Sequence, residues 1–430
     1  MNAVLRFIKK FIPRSLFDAL APVYHYLLAL TSALIYWFPS KQLTVLAVTG
    51  TKGKSSTAEM LSSIFEAAGY KTALLGTIRF KIGDESRPNK EKMTMPGRFF
   101  VQKFLREAVT KECDVAVVEI SSEAAKQYRH KFIYLDSLVF TNLSPEHIES
   151  HGSFEKYRAA KLRITESLGR KLKDKSVVVA NADDPNADLF LKCGATESYP
   201  YSLKDAEPYT VDGSGICFTY KETEIKSPLR GVFNLYNLLG ASVCAEAFGI
   251  SPLAIKEGIE KLSLIKGRVE FVKLPEDHPL KDTQNFDVVV DYAHTAESLG
   301  ELYKAFETQR KICVLGNTGG GRDKWKRPEM AKVADYFGEE IILTNEDPYD
   351  EDPDHIISDM LPGFSTHTPH VIMDRRAAIN EAIRRAKPGD VVLITGKGTD
   401  PCIMLAGGKR LEWSDYDVAR EELEKVLNTR

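Results

Sequence analysis

Residues 47–57 read Ala-Val-Thr-Gly-Thr-Lys-Gly-Lys-Ser-Ser-Thr, between an apolar strand-like run at 43–48 and a helix-like run at 57–68. A strand, a glycine-rich turn and Lys-Ser at a helix start leave few folds open. The turn belongs at the edge of a sheet, with its helix packed behind. In such a turn backbone N–H groups ring an anion and the helix N-terminus adds positive potential. Lys54 is placed to reach terminal phosphates, and a hydroxyl to ligate magnesium. The general phosphate loop has glycine where this chain has Val48. The shorter form, Thr49-Gly50-Thr51-Lys52-Gly53-Lys54-Ser55, points to a narrower group of ATP users.

The pattern around the loop supports the same fold. Candidate strands at 43–48, 72–75, 115–120, 137–141 and 177–180 alternate with helical runs at 57–68, 99–110 and 154–168. Residues 200–230 read as short strands and turns, and 234–247 as a helix. A second series begins near Gly267, with strands at 287–291, 311–315, 340–344, 370–373 and 391–395. Its helices start near Ser298, Pro328, Pro353, Arg375 and Tyr416. The expectation is an α/β protein: a central P-loop ATPase domain at 41–265 with a mainly parallel sheet, then a C-terminal Rossmann-like α/β domain at 266–430.

Composition excludes some classes. The net charge of −2 leaves no footprint for nucleic acid. Six cysteines, with no CxxC pair, read as buried thiols in a reducing compartment. Residues 1–40 form a separate apolar segment: Arg6, Lys9, Lys10 and Arg14 precede an apolar, aromatic run from 16 to 38. No small-residue cleavage site follows it, so a signal peptide fits poorly. A spanning helix would export an ATP-dependent domain away from its nucleotide. A helix lying on the membrane or packed on the protein is the better reading, giving a cytoplasmic location with peripheral contact through residues 1–38 at the inner face.

Other polar groups close strands. Glu119 ends an apolar run, where a carboxylate is costly unless paired or metal-bound. His147 follows Phe140-Thr141-Asn142-Leu143 at a similar edge. Lys161, taken alone, reads as a solvent-facing helix lysine. Asp291-Tyr292-Ala293-His294, Gly319-Gly320-Gly321-Arg322 and Gly396-Lys397-Gly398-Thr399-Asp400 each follow a strand. Glycine-rich turns after successive strands line a cleft and let backbone approach a ligand.

In this order the motifs resemble the Mur ligases, ATP-dependent amide-forming enzymes of peptidoglycan precursor synthesis. Within them the chain looks most like the UDP-N-acetylmuramoyl-tripeptide synthetases, which add the third amino acid. The residues that carry the resemblance run from Gly50–Ser56 through Glu119-Ile120-Ser121-Ser122, Gln127-Tyr128-Arg129, His147 and Ala159-Ala160-Lys161. They continue with Asn234 and Asn237, Gly267-Arg268, Asp291, Arg322-Asp323-Lys324, Lys326-Arg327 and Asp374-Arg375. The resemblance implies that Gly50, Thr51, Lys52, Gly53, Lys54, Ser55, Ser56, Asn237, Arg268 and Asp291 hold ATP. Ser55 and Glu119 would hold one Mg2+, and His147 with a carbamylated Lys161 a second; Lys54, Glu119, His147 and Lys161 form the catalytic set. Thr94, Ser121, Gln127 and Arg129 match contacts to a muramoyl-peptide acceptor. Arg322, Glu346, Asp347, Pro348, Tyr349, Gly396 and Asp400 match the pocket for the incoming amino acid.

The chain departs from that pattern in four places. Only about 40 residues precede the loop, too few for a domain gripping the uridine diphosphate. The diaminopimelate-adding enzymes carry Asp-Asn-Pro-Arg where this chain has Glu346-Asp347-Pro348-Tyr349, and tyrosine is no cationic clamp. Gly-Lys-Gly-His-Glu appears as Gly396–Asp400 with a shorter acid. Glu123 and Glu146 replace a histidine and an aspartate. Two other readings remain at this point: a folylpolyglutamate-synthetase-like ligase with another acceptor, and a membrane-attached regulator that binds ATP without catalysis.

Overall fold

The protein, seen in a computed structural model, is described over residues 14–168 and 175–429. These fall into two compact units. One comprises 14–143, 155–201 and 240–250, and the other 144–154, 202–239 and 251–429.

In the first unit eight strands form one sheet: β1 Thr44–Thr49, β2 Thr72–Leu75, β3 Arg79–Ile82, β4 Glu85–Pro88, β5 Val115–Glu119, β6 Ser137–Phe140, β7 Val177–Asn181 and β8 Glu197–Tyr201. Their order is β4-β3-β2-β5-β1-β6-β7-β8. From β2 to β8 neighbours are parallel, and β3 and β4 add an antiparallel edge. The parallel strands β1, β5, β6 and β7 are apolar runs buried on both faces, as helix-covered strands must be. From β1 the chain crosses to β2 on one side of the sheet and later returns to β6 on the other. β1 therefore lies at the reversal of strand order, where ligands bind beyond the strand C-termini.

The N-terminal helix, Arg14–Ile35, packs against the helix Arg98–Thr110. Its end is fixed by Arg106, whose guanidinium donates to the carbonyls of Tyr36 and Trp37 at 2.9–3.1 Å. Among the described residues no helix is long and apolar enough to cross a membrane. The six cysteines are free; four are buried, while Cys193 and Cys217 are only half-buried, unlike the expectation.

The second unit carries a small antiparallel sheet of β9 Tyr209–Asp212, β10 Gly215–Tyr220 and β11 Thr223–Ser227. Its larger sheet contains β12 Glu270–Phe271, β13 Asp287–Val290, β14 Lys311–Leu315, β15 Glu340–Leu343, β16 His370–Val371 and β17 Val391–Ile394. The order is β12-β13-β17-β14-β15-β16, all parallel except β12. Alternation along each strand divides the core. Val288, Val290 and Val392 face Ile379, Ile383 and Leu423, whereas Val289, Cys313 and Leu393 face Leu299, Leu302 and Met330. Helices thus cover both faces and leave the strand ends as the open edge.

Candidate active site

Parallel pairing brings three strand ends of the first unit side by side. Val48 is level with Glu119, and Thr49 with Phe140. The chain leaves β1 through Gly50, passes under Asn142, and enters the helix Lys54–Ala67 with Gly53 left-handed at its N-cap. Asn142 shapes the loop: its carbonyl accepts from Thr51 N at 2.8 Å and its Oδ1 from Lys52 N at 2.8 Å. A Cβ on Gly50 would collide with Thr141 Oγ1. Both this close approach and its φ of +152° favour glycine there.

Two ammonium groups converge on this loop. Lys54 Nζ donates to the carbonyls of Gly50 at 3.0 Å and Thr51 at 2.9 Å. Lys161 Nζ donates to the same Gly50 carbonyl at 2.6 Å and lies over the Tyr157 ring. Lys161 is 1% exposed, which corrects the solvent-facing reading that its helix alone suggested. Tyr157, one helical turn earlier and on the same face, reaches Thr51 Oγ1 at 3.0 Å. Sequence reasoning passed over Tyr157; its i, i+4 spacing to Lys161 was the available signal.

Glu119 is 1% exposed and accepts from Ser55 Oγ at 2.9 Å, Thr77 N at 2.7 Å and Thr77 Oγ1 at 2.9 Å. Burial raises its pKa, against the lowering effect of Thr77, Lys54 and Ser55. A desolvated carboxylate beside a serine hydroxyl and a phosphate-type loop fits a hard cation. No group of three or more His, Cys, Asp or Glu side chains that could hold a metal occurs among the described residues. One carboxylate and one hydroxyl suit magnesium, which keeps several waters and takes phosphate oxygens. The Thr77 hydroxyl, on another residue that sequence reading missed, also lies 2.9 Å from Thr94 Oγ1, whose hydroxyl can donate to it. Ser121 caps the short helix Ser122–Lys126, and Arg129 reaches Gln127 Oε1 at 2.9 Å and the Met95 carbonyl.

The second unit gathers its own set. Register places the ends of β13, β17, β14 and β15 together, hence Asp291, Gly396–Asp400, Gly316–Gly321 and Glu346–Tyr349. Asp291 accepts from Val269 N at 2.8 Å and Ala293 N at 2.6 Å; burial raises its pKa against the pull of Arg268. Arg268 stacks on Tyr292 at 4.4 Å, and Asn237 donates to Asn234 at 3.2 Å. Glu346 accepts from Thr318 Oγ1 at 2.6 Å, and its Oε2 is buried with no hydrogen-bond partner. Gly396 is needed beside it, since a Cβ there would run into that oxygen.

Asp347 points elsewhere. It accepts from Lys397 Nζ at 2.8 Å and Met404 N at 2.7 Å, and Lys397, wholly buried, also lies 3.3 Å from Asp400. Exposed Arg322 lies within electrostatic reach of Tyr292, Tyr349 and Glu146. Left-handed, half-buried His147 precedes the turn Ile148–His151, whose N–H groups at Ile148 and Glu149 are held by Asp323 at 3.3 and 2.9 Å. Glu146 pairs with His294 at 3.0 Å. Two of the motif arginines are structural: Arg327 is buried against Glu351 and Asp359, and Arg375 against Asp415.

Two family models match the chain: the Mur ligase middle domain over residues 48–245, and the Mur ligase glutamate ligase domain over 267–398. A UDP-N-acetylmuramoyl-L-alanyl-D-glutamate–2,6-diaminopimelate ligase of Bacillus licheniformis is 37% identical over 92% of this chain and 82% of its own length. A solved structure of an enzyme with that name is 29% identical, with a TM-score of 0.59 over 89% of this chain and 78% of its own. Folylpolyglutamate synthase of Mycobacterium tuberculosis, 15% identical, shares the fold with a TM-score of 0.68 over 86% of this chain and 92% of its own.

Proposed function

The chain belongs to the Mur ligase family, and from that premise we propose that it adds an amino acid to a muramoyl-peptide acceptor in peptidoglycan precursor synthesis, using ATP. The observation that carries this reading is the convergence of Lys54 and Lys161 on Gly50 beside Glu119 and Ser55. An acceptor carboxylate oxygen attacks the γ-phosphorus, the bond to the β-phosphate oxygen breaks, and ADP leaves. The incoming amine then attacks the acyl carbon of the acyl phosphate, losing a proton as inorganic phosphate departs. Such chemistry needs positioning and charge neutralisation more than covalent help.

In this reading the N–H groups at the start of the helix Lys54–Ala67, together with the Lys54 ammonium, would hold the β- and γ-phosphates; the resemblance adds Ser56, Asn237, Arg268 and Asp291 to the nucleotide contacts. Ser55 and Glu119 would hold one magnesium; the resemblance assigns His147 and a carbamylated Lys161 to a second. Magnesium supplies neutralisation of the phosphate oxygens as charge shifts to the leaving group. Residues 41–265 then supply the ATP end and 266–430 the amino-acid end.

Phosphate release with ATP, magnesium and UDP-N-acetylmuramoyl-dipeptide, with Lys161→Ala as control, tests the proposal. Acceptor-dependent release that the substitution removes supports it. No acceptor-dependent release, or an unaffected variant, returns the chain to a binding-only reading.

The amino acid is proposed to lack the distal carboxylate of diaminopimelate, because Tyr349 offers no cationic fork. Mass spectra of products from competing lysine, ornithine and diaminopimelate decide this, and a clear win for diaminopimelate would overturn it.

Contact with an anionic lipid surface at the cytoplasmic face is also proposed. Leu20, Val23, Leu27 and Leu34 make an exposed apolar stripe along the N-terminal helix, with Tyr24, Tyr26 and an 81% exposed Trp37 beside it. The preceding sequence carries Arg6, Lys9, Lys10 and Arg14 and no acid before Asp18. Apolar and aromatic side chains with adjacent basic residues suit an interfacial helix. Co-sedimentation with phosphatidylglycerol vesicles should fall sharply for a chain starting at Ser40; equal binding would exclude the contact.

A further inference from the structure

Two guanidinium groups of the first unit stand against one glutamine. Arg98, the first residue of the helix Arg98–Thr110, donates through Nη2 to the Gln127 carbonyl. Arg129 donates through Nη2 to Gln127 Oε1 at 2.9 Å and through Nη1 to the Met95 carbonyl. The Nε atoms of both are buried and have no hydrogen-bond partner. Burial, and then the charge of Arg129, pushes Arg98 down to about 10; burial also lowers Arg129, which Glu123 only partly offsets. Glu123 is itself engaged by Gln127 Nε2 at 2.6 Å.

Like charges held this close, with donor capacity left over, cost stability in the free protein and recover it when an anion arrives. The surroundings say which anion. Met95, which anchors Arg129, follows Thr94, and Thr94 is tied through Thr77 to Glu119. The pair therefore continues the strand-end edge on which the phosphate loop lies, on the side of Thr94, Ser121 and Gln127.

We propose that Arg98 and Arg129 form a two-guanidinium anion site that grips a carboxylate or phosphate group of the acceptor, with Arg98 as a specificity-determining residue. The proposal rests on the ligase reading for the identity of the acceptor, though not for the existence of the site. Arg98 enters no step of the phosphoryl transfer. Its work is to fix the acceptor's charged end while the reacting carboxylate meets the γ-phosphate.

The test compares Arg98→Gln and Arg98→Lys with the parent chain. Acceptors are UDP-N-acetylmuramoyl-dipeptide and the same dipeptide without its uridine diphosphate. With Arg98→Gln, the acceptor KM should rise about 10- to 100-fold, the size of one lost charged hydrogen bond, while the KM for ATP holds. Arg98→Lys should recover part of the loss. A rise with both acceptors assigns the peptide carboxylate, and a rise with the nucleotide-linked acceptor alone assigns the pyrophosphate. Unchanged acceptor KM values, or equal rises in all substrates with a lowered Tm, overturn the proposal.

A second readout needs no turnover, so failure of the ligase reading stays separate. In Lys54→Met, where the phosphate loop is weakened, inorganic phosphate should still raise Tm, and adding Arg98→Gln should abolish that rise. No rise, or a rise that persists in the double variant, overturns the site.

Discussion

His130 is fully buried in the first unit, next to the candidate acceptor residues. Burial, helped by Lys131 and opposed by Glu166 and nearby carbonyls, pushes its pKa down to about 4. The unfolded chain keeps the ordinary value near 6.5 and so binds a proton over a range in which the folded state does not. Stability is therefore full above about pH 6.5 and falls as pH drops toward 4, by up to about 3 kcal/mol. Urea unfolding at pH 7 and pH 5 should reveal that loss, and His130→Phe should flatten it. An unchanged slope in the variant would move the pH dependence to other groups. Nothing in Tyr128-Arg129-His130 marks the histidine as buried, since its environment comes from elements distant in sequence.

At the scale of the element, β1, the loop and the helix Lys54–Ala67 were legible because they are built locally: an apolar run, glycines, then Lys-Ser. The helix begins at Lys54 rather than at residue 57, as the phosphate loop demands. Less legible were β3, β4 and β12, short strands whose pairing rather than composition makes them strands. The loop's tolerance is set by a neighbour outside it. Gly50→Ala drives a methyl into Thr141 and displaces the carbonyl on which Lys54 and Lys161 meet. A displacement of this kind should lower kcat on the order of 100-fold with circular dichroism unchanged. Activity within a few-fold of the parent would contradict that account of the loop.

Across the whole molecule, the chain divides into two compact units, and the phosphate loop with both its lysines lies in the first. Calorimetry should resolve two transitions. Arg375→Leu removes the cation paired with buried Asp415 and leaves it only the Trp413 Nε1 hydrogen bond, so it should lower the transition of the second unit, by about 3–5 kcal/mol. Tripolyphosphate at 100 times its Kd should stabilise the transition that Arg375→Leu leaves alone, by about 2.7 kcal/mol. A single transition that both treatments move would mean that the units unfold as one.

The sequence by itself determined the α/β class, the strand–loop–helix that receives a phosphate, and the alternation that puts polar turns at strand ends. These follow from periodicity and backbone rules acting over a few residues. Only the tertiary structure decided that Lys161 is buried and meets Gly50, 111 positions away, or that Arg98 and Arg129 share Gln127. It also decided that Arg327 and Arg375 serve the core as ion pairs and that Asp347 is committed to Lys397. The reason is physical. A charged side chain declares its residue type locally, but its burial and partner are set by which strands pair, and strand pairing is a property of the whole sheet.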